Sequence, residues 1–300
     1  MRYDIIGLGY SAIDYLGIVP EYPDIDTKAQ LEEFSIQGGG VTATAMVTAA
    51  RLGATVSYVG VMGDDLSGQF TLSELEREGV DVSRVVVRQG TANPVSFIVI
   101  DKPTGKRNIF WSRCGIAPLL PSEISREHIQ SCKVLHIDNH EPEAAIQAAK
   151  WANQASIPVL IDAGSVRPGT PELLEYVDIL IASQHFGLEY TEETDPLDMA
   201  RALLNGRAKV GIVTLGERGC ACATPEETFQ VPAFKVDAVD TTGAGDVFHG
   251  AFSYGVLQGW PIRKIAEFAS AVAAIKCMTL GGRAGIPKLE EALAFLDNNR

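Results

Sequence analysis

The sequence predicts an α/β fold with a mainly parallel central sheet, helices on both of its faces, and a second, smaller β-sheet. Short apolar runs typical of strands alternate with helical patterns along most of the 300 residues. Strands that alternate with helices of about 10–15 residues are typical of parallel sheets with two helical layers. Two stretches break the alternation, and they predict the smaller sheet.

The main elements follow in chain order. Strands are predicted at residues 3–9, 56–61, 85–88, 95–100, 108–111, 134–137, 158–161, 179–181, 210–214 and 233–239. Helices are predicted at residues 42–52, 66–78, 143–154, 197–205, 244–258, 262–279 and 289–298. These lengths and this order predict one α/β domain over residues 1–300.

The smaller sheet is predicted from two β-like stretches. Residues 12–34 contain prolines and turn-forming residues without helical periodicity, and residues 85–111 resemble two strands around the turn Pro103-Thr104-Gly105. We expect residues of about 12–36 and 85–112 to form a lid over the binding edge of the main sheet. An exposed sheet needs a covering partner, which predicts a ligand lid or a homodimer through the lid.

Composition excludes several classes of partner. The formal net charge of −13 argues against nucleic acid, because binding to its backbone needs concentrated Lys and Arg. No run approaches about 20 apolar residues, which argues against a membrane partner, and no secretory signal is recognisable. The five cysteines lack a metal-binding spacing and are expected to be buried, reduced thiols. We therefore expect a cytoplasmic protein.

Residues 240–248, DTTGAGDVF, are the most informative stretch. Gly243 and Gly245 let the backbone turn tightly before a predicted helix, whose free N–H groups form an anion hole. Such a hole suits a phosphoryl group during its transfer. Asp246, in the first helical turn, is placed to accept a proton from a hydroxyl. A helix N-cap with structural glycines is the alternative, which the full length of the run disfavours.

This stretch resembles the C-terminal signature of the ribokinase-like, or pfkB, carbohydrate kinases. The similarity continues through residues 249–252 and 281–287 and covers essentially the whole chain. It implies a ribokinase-like three-layer α/β/α fold and ATP-dependent phosphorylation of a hydroxyl on a sugar-type small molecule. Asp246 falls on the catalytic base, beside the anion hole of Gly243, Ala244 and Gly245. Residues 248–251 and 277–287 look most similar to the sulfofructose kinase branch.

The N-terminal half resembles the first signature of the same family. Gly38, Gly39 and Gly40 precede an Ala-rich helix, where glycines give a polyol close access to the backbone. The resemblance implies that Asp14, Gly39 and Gly40 bind the substrate, and a carboxylate can accept from two neighbouring hydroxyls. Thr44 stands where the family usually has Asn, so one substrate hydrogen bond is altered.

Further substrate contacts are expected from the lid and from the strand that ends near residue 137. Arg107, Arg113 and Lys28 can supply positive charge from the lid, although such side chains are most often simply solvated. Asn139 stands where sulfofructose kinases carry an Arg that binds the sulfonate. Arg107 and Asn139 are therefore candidate substrate-binding residues, and the sequence leaves open whether the substrate is anionic.

A nucleotide site is implied by residues 213–220, a strand, a glycine turn and a second strand that lie beside the nucleotide in the family. The implied ATP-binding residues are Thr214, Gly216, Gly219, Thr242, Gly243 and Gly245. Mg²⁺ is expected because a divalent ion offsets the charge of ATP. Ser183 and Phe186 replace the family's Asn-x-x-Glu, which helps to organise the magnesium.

A monovalent cation site is also implied, as in several relatives. Asp240 and Thr242, together with the loop at residues 281–285, are the candidate ligands for an ion such as K⁺.

Three other functions remain open. A nucleoside kinase of the same superfamily would need an aromatic sandwich for a base. A non-catalytic protein that binds nucleotide or sugar gains some support from the missing Asn-x-x-Glu, whereas Asp246 counts against it. A dinucleotide-dependent oxidoreductase is disfavoured, because Gly7-Leu8-Gly9 lacks the third glycine of the fingerprint.

Overall fold

The computed structural model describes residues 3–299 of the chain. The strands are β1 (Tyr3–Leu8), β2 (Ala12–Val19), β3 (Glu33–Gly39), β4 (Val56–Val59), β5 (Val61–Gly63), β6 (Val86–Arg88), β7 (Val95–Asp101) and β8 (Arg107–Ser112). They continue with β9 (Cys132–Asp138), β10 (Val159–Ala163), β11 (Ile179–Ser183), β12 (Val210–Thr214), β13 (Cys220–Ala223) and β14 (Thr228–Val231).

The helices follow the same chain order. They are α1 (Val41–Arg51), α2 (Leu66–Arg77), α3 (Arg126–Ile129), α4 (Pro142–Gln154) and α5 (Thr170–Leu174). They continue with α6 (Gln184–Thr191), α7 (Pro196–Ala202), α8 (Ala244–Leu257), α9 (Ile262–Cys277) and α10 (Leu289–Asn298). Pro121–Glu123 and Gly216–Arg218 form short 3₁₀ turns.

The central sheet has the strand order β14-β13-β12-β11-β10-β9-β1-β4. The strands from β12 to β4 are parallel, and β13 and β14 add an antiparallel edge. The carboxyl ends of the parallel strands therefore meet at one edge of the sheet, which is where open α/β sheets bind ligands.

Helices cover both faces of this sheet, giving the predicted three layers. On one face α1, α8, α9 and α10 pack against strand residues such as Ile5 and Val134. On the other face α4, α5, α6 and α7 pack against Ile6 and Leu135, the residues that follow Ile5 and Val134 in the chain. Successive residues of a strand point to opposite faces of the sheet, so both residues of such a pair must be apolar when both faces are covered. Within residues 3–299, no helix is long and apolar enough to cross a membrane.

Strands β3, β2, β7 and β8, in that order, form a separate four-stranded sheet, here named the lid sheet. Its inner face carries a cross-strand row of Gln37, Asp14, Ser96 and Trp111. Its outer face carries a row of Ile36, Tyr15, Phe97 and Phe110. The alternation follows from the period of two along a strand, which separates polar from apolar side chains.

Two predicted strands are wrong in placement or type. Residues 85–88, expected in the lid, contribute β6, which pairs in parallel with β5. The helix α2 connects these two strands, and a helical crossover of this kind favours parallel pairing, so β5 and β6 form a separate two-stranded sheet. Residues 233–239, expected as a strand, are irregular, and the amide of Val239 donates to Cys277 O instead. Cys114 also differs, because it is half-exposed rather than buried.

Replacing Phe268 with Ala tests the helical layer formed by α8 and α9. The Phe268 side chain is fully buried and contacts Tyr254 and Trp260. We expect a loss of about 3–5 kcal/mol in the free energy of unfolding, measured by chemical denaturation, because the cavity cannot fully collapse. Ile25, 99% exposed, is the control, and Ile25→Ala should change the free energy by less than about 0.5 kcal/mol. Equal effects of the two changes would contradict this packing.

Candidate active site

The N-terminus of α8 forms a group of free backbone donors. Gly243 is its N-cap with a φ of 71°, a conformation that favours glycine. The amide of Ala244 donates to Thr241 O at 3.2 Å and closes the turn. The amides of Gly243, Gly245 and Asp246 have no acceptor within residues 3–299. A Cβ on Gly245 would meet nothing within 4 Å, so the helix N-terminus borders open space at Gly245, where an anion can bind.

Asp246 is an acceptor without a donor. No hydrogen bond to its carboxyl exists within the described part of the chain. The pKa of Asp246 is raised to about 7, chiefly by removal from water and next by the nearby Asp162 carboxyl. His249 and Arg107 oppose this rise, while Asp14 adds to it. A carboxyl with a pKa near 7 is a stronger base than ordinary Asp, which suits proton abstraction from an alcohol.

Asp162 and His249 form a buried pair next to Asp246. Asp162 Oδ2 lies 3.0 Å from His249 Nδ1, and both side chains are less than 10% exposed. His249 Nδ1 lies 2.6 Å from Gly245 O and its Nε2 lies 3.2 Å from Ile181 O. The imidazole thus joins the first turn of α8 to β11. Burial raises the pKa of Asp162 well above its usual range and lowers that of His249.

Asp14 lies on the inner face of the lid sheet against Gly39. It is 6% exposed, and burial raises its pKa to about 6, although a hydrogen bond with Ser96 and the charge of Arg283 oppose the rise. A Cβ on Gly39 would lie 2.0 Å from Asp14 Oδ2, so only glycine permits this approach. Gly40, with a φ of 90°, is the N-cap of α1 and lies against Ser11. The structure therefore brings Asp14, Gly39 and Gly40 together.

Arg283 completes this group, and sequence analysis missed it as a site residue. Its Nη2 donates to Gly39 O at 2.8 Å and its Nε to Thr44 Oγ1 at 3.3 Å. Thr44 and Arg283 are both buried, at 1% and 4% exposure, and the Thr44 hydroxyl already accepts from Arg283. A direct bond from Thr44 to a substrate stays a prediction.

Arg107 extends from the lid to the turn before α8. Its Nη1 donates to Thr241 Oγ1 at 2.5 Å, and its buried Nε has no partner in the described residues. It is also among the charges that act on Asp246. Arg113, expected as a second free cation, is instead paired with the buried Glu141, while Lys28 is exposed.

A cluster of aromatic and cationic side chains lies at the other end of β8. The rings of Tyr10 and His140 stack 4.5 Å apart, and Trp111 lies edge-on to both. The Arg167 guanidinium lies 5.9 Å from the centre of the Trp111 ring and has no acidic partner within residues 3–299. Nothing in the local sequence around Arg167 marks it, because this contact depends on the lid.

Asn139 lies behind this cluster rather than in it. It is 3% exposed, and its Nδ2 donates to Ser165 O at 2.6 Å and to Thr170 Oγ1 at 3.3 Å. The side chain therefore anchors the loop after β10, and a substrate contact by Asn139 stays a prediction.

Three of the predicted nucleotide residues follow the carboxyl end of β12, whereas Thr242, Gly243 and Gly245 lie at the N-terminus of α8. Thr214 Oγ1 donates to Ala182 O, and Gly216, with a φ of 60°, faces open space. Packing requires glycine at position 219, because a Cβ there would lie 1.9 Å from Val231 O. Ser183 caps α6 through the amide of Phe186, whose ring is fully buried. Neither of these two side chains is free to bind a metal.

Comparisons with known proteins define the family. A model described as pfkB family carbohydrate kinase matches residues 4–289. The chain is 30% identical to the ribokinase of Schizosaccharomyces pombe over 86% of each protein. It is 28% identical to the 5-dehydro-2-deoxygluconokinase of Shouchella clausii, over 99% of this chain and 96% of that protein. The crystal structure of ribokinase from Thermotoga maritima matches with a TM-score of 0.84 and 28% identity, over 99% of this chain and 100% of that chain.

The chain therefore belongs to the pfkB family of carbohydrate kinases and is an ATP-dependent sugar kinase by class. The predicted family, the ribokinase-like three-layer fold and the kinase class are confirmed. The roles of individual residues remain predictions.

The pKa of Asp246 predicts the pH dependence of catalysis. Only the deprotonated base can accept a proton, so kcat/KM should fall about tenfold per pH unit below a midpoint near 7. Arg107 lowers this pKa, and Arg107→Gln should therefore move the midpoint to higher pH.

The control is Arg201→Gln, because Arg201 is exposed and paired with Asp198. Initial rates of ADP release from pH 5 to 9 provide the measurement. An unchanged midpoint in Arg107→Gln, or an equal shift in the control, would disprove the electrostatic link between Arg107 and Asp246.

Proposed function

We propose that this protein transfers the γ-phosphoryl group of ATP to a hydroxyl of a sugar or sugar-like small molecule. The observation that carries the proposal is the carboxyl of Asp246, which lacks a donor and has a raised pKa, beside three unused amides. Asp246 takes the hydroxyl proton while the amides of Gly243, Gly245 and Asp246 stabilise the charge on the phosphoryl oxygens. Ala244 contributes by closing the turn.

The substrate lies between the lid sheet and the carboxyl edge of the central sheet. Asp14 accepts from its hydroxyls, Gly39 and Gly40 give backbone access, and Arg107 supplies positive charge near the transferring group. Closure of the lid excludes water, which would otherwise compete as the phosphoryl acceptor. Arg167, which lies beside Trp111 and His140 and has no acidic partner in residues 3–299, is the cation we expect at the far end of the substrate.

ATP binds at the carboxyl end of β12. Thr214 and Gly216 lie beside the nucleotide, Gly219 shapes the turn, and Thr242 with Gly243 leads into the anion hole. Mg²⁺ fits this site as an ion carried by the triphosphate, because residues 3–299 contain no cluster of acidic, His or Cys side chains able to hold a metal alone. When bound, the ion offsets the charge on the phosphates.

A sugar is favoured over a nucleoside as the acceptor. The stacked pair near Asp14, Tyr10 and His140, has ring centres only 4.5 Å apart and so leaves no gap between its rings for a base. Trp111 lies edge-on to both rings and does not form a second parallel face. Arg167 contacts His140 Nε2 at 3.4 Å and has no acidic partner in the described residues, which supports an acceptor with oxygen-bearing groups at its far end, including the sulfofructose branch suggested by residues 248–251 and 277–287. A non-catalytic role is disfavoured, because a binder has no use for Asp246.

The apolar outer row of the lid sheet supports a homodimer. Phe97 and Phe110 are more than half exposed, and they lie in one row with Tyr15 and Ile36. This row carries no charge, so two copies related by a twofold axis can pack there without repulsion. The unbridged cysteines and the need for ATP support a cytoplasmic location.

Asp246→Asn tests the assignment of the base. We expect turnover to fall by about 10²–10⁴, because the amide cannot accept the proton, while ATP and sugar still bind. ADP release measures turnover across hexoses, pentoses, sugar acids, sulfosugars and nucleosides, and calorimetry measures binding.

Asp64→Asn is the matched control, because Asp64 is a carboxylate outside the site that accepts from Gly90 N and Thr91 N. Near-normal turnover in Asp246→Asn would overturn the proposal. Faster turnover with nucleosides than with any sugar would show that the acceptor is a nucleoside, while the proposed mechanism would still hold.

Phe97→Asp tests the proposed dimer. A charge at the centre of the outer row should yield monomers at concentrations where the unchanged protein is dimeric, as measured by sedimentation velocity. Leu188→Asp, on the exposed side of α6, should leave the dimer intact. A monomeric unchanged protein, or a dimeric Phe97→Asp variant, would refute this interface.

A further inference from the structure

Asp240 ties the turn before α8 to the loop after α9. Its side chain is fully buried, Oδ1 accepts from Thr242 N, and Oδ2 accepts from Gly281 N, both at 2.8 Å. The amides of Val239 and Asp240 donate to Cys277 O at 2.8 and 3.1 Å. The position of the anion hole therefore depends on a buried carboxylate whose charge must be compensated.

Lys276 supplies a cation at this junction. The residue lies in the last turn of α9 and is 0% exposed, and its Nζ donates to Asp240 O at 2.8 Å. Burial lowers the pKa of Lys276, whereas the charges of Asp240, Cys277 and Asp246 raise it and Arg107 lowers it. A cation at a helix C-terminus also interacts favourably with the helix dipole. Fully buried lysines are rare unless they are paired in this way.

The residues do not fit a monovalent ion in addition to this ammonium. An ion such as K⁺ needs a ring of several oxygen ligands. The two carboxylate oxygens and the carbonyl oxygen of Asp240 already accept from Thr242, Gly281 and Lys276. Thr242 Oγ1 is buried without a partner, but one hydroxyl does not make a cation site.

We propose that the ammonium of Lys276 replaces the monovalent cation expected at Asp240 and Thr242, so that this kinase needs no K⁺. Lys276 is a positioning residue. It acts through Asp240 and holds the turn at residues 240–245 in place. The inference rests on the proposed function only for the turnover measurement, because the contact between Lys276 and Asp240 can be tested by the stability of the folded protein.

The first experiment compares the unchanged protein in KCl, NaCl and choline chloride at one ionic strength. We expect thermal midpoints within about 1 °C of each other, because no site binds K⁺ to the folded state. Turnover with MgATP and an accepted sugar should agree within about twofold.

The second experiment uses Lys276→Ser, which removes the charge and opens space beside Asp240 O. In choline chloride the midpoint should fall by more than about 3 °C, because Asp240 loses its compensating charge. Added KCl should restore it progressively, since an ion that binds only the folded state stabilises with rising concentration. Lys235→Ser, at an exposed lysine, should show neither the fall nor the response to KCl.

Each outcome decides the proposal. If KCl, but not NaCl or choline chloride, raises the thermal midpoint of the unchanged protein by more than about 3 °C, the proposal is wrong. It is also wrong if Lys276→Ser is as stable in choline chloride as the unchanged protein, or if KCl does not restore the lowered midpoint of this variant. If this variant does not fold, the salt series on the unchanged protein still decides. If no sugar is phosphorylated, the proposed function fails, whereas the midpoints still test Lys276.

Discussion

The proposed active site depends on unused hydrogen-bonding groups at the N-terminus of α8. Three of the four amides from Gly243 to Asp246 lack acceptors there, and the carboxyl of Asp246 lacks a donor. Unsatisfied groups at a helix end are costly unless a ligand or water supplies their partners. A ligand that combines an anion with a hydroxyl satisfies both sets, and a phosphoryl donor together with its alcohol acceptor is such a combination. The geometry and the family membership therefore lead independently to the same chemistry.

Much of the surrounding structure holds this helix end in place. His249 joins its first turn to β11 and to Asp162, and Asp240 joins the preceding turn to the loop after α9. Arg107 reaches it from the lid sheet. Because these contacts come from the central sheet, from α9 and from the lid, a change in lid position alters the electrostatic surroundings of Asp246 directly.

Local patterns made the fold predictable from sequence, and they single out the turn before α8 as the candidate catalytic turn. Alternating strands and helices predict the three layers. Asp246 lies in a continuous motif whose glycines let the backbone turn tightly before a helix. The errors have tertiary causes, since the pairing of residues 85–88 depends on a crossover and residues 233–239 bond to the end of α9. Arg283, Arg167 and Lys276 were missed for the same reason. Arg283, for example, acts on Gly39, which lies 244 residues earlier in the chain.

A crystal structure with a non-hydrolysable ATP analogue and a sugar acceptor tests the central claim most directly. The account predicts that oxygens of the terminal phosphate lie about 2.7–3.2 Å from the amides of Gly243 and Gly245. It also predicts an Asp246 oxygen within hydrogen-bonding distance of one acceptor hydroxyl. A triphosphate bound away from the N-terminus of α8, with Asp246 in contact with neither ligand, would contradict the account.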